Sequence, residues 1–144
     1  ISILSQYDSA TALSQVLLNN HESEKRMWAA YRLGETKDIT SVYHLISSLR
    51  DRNDDVAGRA AAALVRMKDI SLKLVRHSLK QPTDQTPISS STDNVFKSQR
   101  SYLYAVLGYI GNRADIQKLQ SALHHDETFD VVITESLQLI KNGV

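Results

Sequence analysis

The chain has 144 residues, 42% hydrophobic and 23% charged, which suits one domain with a sizeable core. Seventeen Lys+Arg against 16 Asp+Glu leave a net charge of +1, so bulk charge selects no partner. Cysteine is absent, which excludes disulfides, thiolate zinc sites and a cysteine nucleophile, and no window holds the roughly 18 unbroken apolar residues of a membrane span.

The opening residues, ISILSQYDSA, lack a basic segment followed by an apolar run, so no signal peptide is visible. The chain begins at Ile1 rather than Met, as a processed or excised chain does. Ser9 to Leu18 carries Ala12, Leu13, Val16 and Leu17 at helical spacing. It reads as the second helix of a hairpin whose first helix is missing. Glu24 to Gly34 comes next with Ala29, Ala30 and Leu33 on one face, then Ile39 to Leu49 with Val42, Leu45, Ile46 and Leu49. The next hairpin pairs an alanine-rich helix, Val56 to Met67, with a helix from Ile70 to Lys80 striped by Leu72, Val75 and Leu79. An inserted loop is expected from Gln81 to Val95, holding Pro82, Pro87 and the run Ser89 to Thr92, with Thr92 or Asp93 capping the next helix. Phe96 to Ile110, Ile116 to His125 and Val131 to Lys141 complete the set.

These elements repeat. The leucines closing the first helices, Leu33 and Leu64, are 31 residues apart, and Leu107 and Leu139 are 32 apart. The longer step between Leu64 and Leu107 is absorbed by the inserted loop. Asp38, Asp69 and Asp115 each precede the isoleucine that opens a second helix, where a carboxylate can cap free backbone N–H groups. Gly111 fits a left-handed residue closing a helix, and Gly34 and Gly108 fit close helix approach. The middle hairpin has Val65 and Lys68 where those glycines are expected, so its turn should be the least regular. Trp28 and Tyr102, at equivalent positions, are expected to fill space between units, with Tyr31, Tyr104 and Tyr109 as candidates for partial exposure.

The segments VAGRAAAALVRMKDI, AAYRLGETKDI and YAVLGYIGN resemble the short HEAT-like repeats of the phycobilin-lyase group. Their shared pattern is an opening valine, an alanine cluster, a leucine-glycine pair and a glycine-aspartate turn. The resemblance implies an all-α, right-handed α-solenoid of about four helical hairpins, with the second helices lining a concave face. The units would be a partial one over 1–20, then 21–52, 53–95 with its loop over 81–95, 96–127, and a partial one over 128–144. Leu137, Ile140 and Val132 would then face no further helix, which reads as a segment of a longer array or as a chain that self-associates end to end.

The distribution of acids points to a surface. None of the sixteen lies inside an expected second helix. Those helices carry Tyr43, His44, Ser47, Lys73, Arg76, His77, Lys80, Lys118, Gln120 and His124, which form the expected partner-binding set. A basic wall of this kind suits an acidic protein or peptide, or weakly a nucleic-acid backbone. Helix dipoles alone also gather acids at N-termini and bases at C-termini, which accounts for Lys80 and His124 but not for Lys73 and Lys118 near their helix starts. The resulting expectation is a non-enzymatic interaction scaffold, with an enzyme-associated module of the phycobilin-lyase type as the alternative. No cofactor, metal or membrane partner is expected. His21-Glu22 is a single pair where HEAT-like deoxyhypusine hydroxylases need several, His124-His125-Asp126 lacks a third ligand at helical spacing, and no nucleophile–base pair or phosphate loop can be assembled.

Overall fold

Eight α-helices pack against their neighbours in the computed structural model, which describes residues 9–80, 90–125 and 127–143. They are α1 (Ala10–Asn19), α2 (Ser23–Leu33), α3 (Ile39–Ser48), α4 (Asp54–Met67), α5 (Asp69–Lys80), α6 (Ser90–Ile110), α7 (Ile116–Ala122) and α8 (Asp130–Asn142). Short 3-10 turns at Arg113–Asp115 and Glu127–Phe129 precede α7 and α8. No strand occurs among the described residues.

Local chemistry sets the starts. Ser9 accepts from the Ala12 N–H at 3.1 Å, Asp38 from Thr40 at 2.9 Å, and Asn53 from Asp55 at 2.9 Å and Val56 at 3.3 Å. The expected aspartate rule holds once. Asp69 is the first residue of α5 rather than its cap, and so places one acid inside a second helix. Asp115 lies in a 3-10 turn and accepts from the Asn112 N–H at 3.0 Å in a capping box, leaving α7 without a side-chain cap. Gly111 does not adopt a left-handed conformation. The positive φ angles fall instead on Lys37, Lys68 and His124. Lys68, with φ 48° and ψ −115°, makes the middle turn the irregular one, and buried Ser71 steadies it by donating to the Leu64 carbonyl at 2.6 Å and the Lys68 carbonyl at 2.9 Å.

The contacts skip along the chain. α2 packs on α4, α4 on α6 and α6 on α8, while α1 packs on α3 and α3 on α5. Between these rows, α1 meets α2, α3 meets α4, α5 meets α6 and α7 meets α8. The core between them is made by Leu13, Leu17, Leu33, Leu45, Leu49, Leu64, Val75, Leu119 and Ile133, all buried. Buried Ala29, Ala30, Ala57, Ala60 and Ala63 let the first helices lie close. A Cβ on Gly34 would sit 2.9 Å from the Ala63 Cβ, and one on Gly108 would sit 2.8 Å from the Ser136 Cα. Both glycines are close-approach points, as expected.

Four expectations need correction. Residues 90–95 of the expected loop are helical, so Thr92 and Asp93 lie inside α6 rather than capping it; 81–89 fall outside the described residues. The last marker is displaced, because Leu139 is 40% exposed whereas Leu137 and Ile140 are buried. Those two side chains are therefore not an open end; α8 presses them into the core against the helices it packs on, α6 and α7, with Val132 partly buried. Trp28 is 47% exposed and fills no gap, whereas Tyr104 is buried against Phe129 with ring centroids 5.7 Å apart.

Candidate docking surface

The expected contact residues divide into three groups. Tyr43 and Ser47 on α3 are exposed, with His44 half-buried between them. On α5, Lys73, His77 and Lys80 are exposed. On α7, Lys118 and Gln120 are exposed. Arg76 and His124 make bonds that build the fold.

Arg76 is the first. Its Nε donates to Asp115 Oδ1 and its Nη2 to Oδ2, each at 2.8 Å, in a bidentate pair. This fork joins α5 to the turn that opens α7, across 39 residues of sequence. Asp115 is buried, at 3% exposure, while the Arg76 side chain keeps 32%. Burial pushes the Asp115 carboxyl up, but the Arg76 bonds, the Asn112 N–H and the charges of Arg76 and Lys118 outweigh it and hold it below the usual carboxylate value. The same carboxylate keeps Arg76 firmly protonated. Arg76 is thus a strut of the fold as well as a surface cation.

His124 is the second. It lies beyond the end of α7, which stops at Ala122 rather than continuing to His125. At φ 70° it donates its backbone N–H to Asp130 at 2.8 Å, and its ring Nδ1 lies 3.2 Å from the other Asp130 oxygen. It organises the entry to α8 and leaves the row of second helices.

Two of the other cations, Lys80 and Lys118, adjoin beside the Arg76–Asp115 pair. Arg76, Asp115, Lys118, Gln117, Ser121 and Ala114 line a shallow groove between α5 and α7. Partial desolvation, and next the ammonium of Lys80, hold Lys118 below the usual lysine value, so the two lysines adjoin. Lys73, Lys80 and Lys118 have no ion-pair partner among the described residues. Asp115 and Gln117 were missed as parts of this surface. Asp115 shows in sequence only as a cap signal, and nothing local pairs it with a residue 39 positions away.

A second buried pair has no counterpart in the sequence pattern. Arg26 donates to both oxygens of Asp51, at 2.9 and 3.0 Å, and to the carbonyls of Asn20 at 2.8 Å and His21 at 3.1 Å. It locks the α1–α2 turn to the end of α3, and the cleft beside it, which includes His21 and Arg52, surrounds this strut. On α2, Tyr31 is half-exposed beneath the Arg66 guanidinium, 4.6 Å from the ring centroid. No group of three or more His, Asp or Glu side chains among the described residues is placed to hold a metal ion. No described helix is long and apolar enough to cross a membrane. No family model, no curated protein and no solved structure matches the chain.

Proposed function

We propose that the chain is a run of HEAT-like hairpins stacked as a right-handed α-solenoid, and that its row of second helices is a non-enzymatic docking surface for an acidic protein or peptide. The observation that carries the reading is that Lys73, Lys80 and Lys118 stand exposed on α5 and α7 without an ion-pair partner among the described residues. Solvated lysines cost the fold little and speed encounter with an acidic surface, as rim charges do. The stacking is supported by the skipping contacts, since each hairpin needs its neighbours to cover its apolar stripe. Exposed Tyr43 and Ser47 on neighbouring α3 supply apolar area and hydrogen bonding beside the charges.

The test uses two labelled probes, an Asp/Glu-rich dodecapeptide and its Lys-rich counterpart, read by fluorescence anisotropy. The acidic peptide should bind and the basic one should not, and Lys73→Glu with Lys118→Glu should weaken binding by about tenfold or more with the far-UV CD spectrum unchanged. Arg76 is left intact because reversing it would strand Asp115. Equal binding of the two peptides, or unchanged binding by the double variant, rejects this surface.

A further inference from the structure

The groove between α5 and α7 has a charge balance that a general basic wall does not explain. Arg76 and Lys118 flank one carboxylate in the groove, and Lys80 adjoins Lys118. That carboxylate is already spent: Asp115 receives two N–H bonds from Arg76 and one from Asn112, and it is buried. The lysines therefore gain only long-range attraction from it. They also repel one another, since the ends of α5 and α7 bring the two ammonium groups together. Arg76 uses Nε and Nη2 on Asp115, which leaves Nη1 as a donor with no acceptor among the described residues. The site offers donors from three side chains on two elements and a local excess of two positive charges.

A carboxylate brings one charge and two oxygens to such a site. A phosphomonoester brings between about 1.5 and 2 negative charges at neutral pH and three strong acceptor oxygens. The second matches the donor set, one oxygen for each cation, and removes the repulsion between the lysines. We propose that Arg76, Lys80 and Lys118 form a phosphate-binding site that takes the phosphomonoester of a phosphorylated partner peptide. This rests on the reading of the second helices as a docking surface and names the group that surface is built to recognise. Lys73, one turn before Arg76 on α5, lies outside the cluster and serves the flanking acidic residues of the partner.

Inorganic phosphate is the first probe, added to the full chain at constant ionic strength against sodium chloride, with the lysine Cε–Hε signals followed by NMR. The signals of Lys80 and Lys118 should move and saturate with phosphate while that of Lys73 stays. Lys118→Gln and Lys80→Gln should each weaken the titration by about tenfold, the loss of one charge-assisted hydrogen bond, and Lys73→Gln should leave it unchanged. Equal, unsaturating drifts with phosphate and chloride overturn the site, as does a Lys73 response as large as that of Lys118. The second probe is a short peptide carrying Ser, Glu or phosphoserine at one position. The phosphoserine form should bind at least about tenfold tighter than the Glu form and tighter than inorganic phosphate. Parity with Glu refutes phosphate recognition, and parity with inorganic phosphate refutes a peptide-borne group. Failure of the wider docking reading looks different: phosphate then saturates at Lys118 while the acidic dodecapeptide ignores Lys73→Glu.

Discussion

Two glycines in helix interiors should respond to the same substitution with opposite signs. Gly58 in α4 has nothing within 4 Å of the position a Cβ would take, so Gly58→Ala should collect the helix-propensity gain of about 0.5–1 kcal/mol. Gly108 in α6 offers the same propensity gain, but its Cβ would lie 2.8 Å from the Cα, Cβ and Oγ of Ser136 on α8. Carbon atoms rest at about 3.5–4.0 Å, so α6 and α8 must separate by roughly 1 Å, and overpacking of this kind costs about 1–3 kcal/mol. The separation also strains the buried bond from the Ser136 hydroxyl to the Tyr104 carbonyl, 2.7 Å long, for about 1 kcal/mol more. After the propensity gain, Gly108→Ala should destabilise by about 1–3 kcal/mol. Urea unfolding followed by far-UV CD measures both, with unchanged m-values showing that only stability moved. In thermal melts the two variants should part in opposite directions, by about 3–4 °C for each kcal/mol. If Gly108→Ala is as stabilising as Gly58→Ala, α6 and α8 do not meet there, and the stacking of first helices is wrong at its most exacting contact.

Other perturbations probe the struts and turns. Arg26→Ala should cost about 3–5 kcal/mol, because it strands Asp51 at 10% side-chain exposure, and adding Asp51→Ala should recover part of the loss; a cost under about 1 kcal/mol would mean that the pair is not a strut. Lys68→Gly should stabilise by about 0.5–1 kcal/mol in the same urea assay, since φ 48° with ψ −115° strains any side-chain-bearing residue more than glycine's extra chain entropy costs. Asp115 has a folded pKa below its unfolded value, so its contribution is complete above about pH 4 and is lost as pH falls through the lower folded value. Urea midpoints taken between about pH 6 and about pH 2.5 should therefore fall less steeply in Asp115→Asn, which lacks the titrating group, than in the parent chain; parallel curves would contradict the depressed carboxyl.

Helix identity was legible because apolar spacing is a local property. The expected second helices Ile39 to Leu49 and Ile70 to Lys80 match α3 and α5 within one residue, and the alanine cluster marked where helices lie close. Ends were less legible. A cap depends on backbone angles as well as residue type, so Asp69 entered its helix, Gly111 stayed out of the left-handed region, and Lys68 took a conformation that glycine suits better. Leu139 misled for a related reason: a repeat marker one or two positions out of phase turns to solvent, and Leu137 and Ile140 carry the buried contact instead.

The amino-acid order alone determined that this is an all-helical chain with a rhythm of about 31 residues and basic residues on α5 and α7. Tertiary structure decided which of those charges remain available. Arg76 and Asp115, and likewise Arg26 and Asp51, are 39 and 25 residues apart in sequence, and only packing brings each pair into hydrogen-bond contact. A carboxylate neutralises a guanidinium through distance in space, which residue spacing does not encode. Hence the basic residues of α5 and α7 were readable from the chain, while which of them are paired was set by how the helices met.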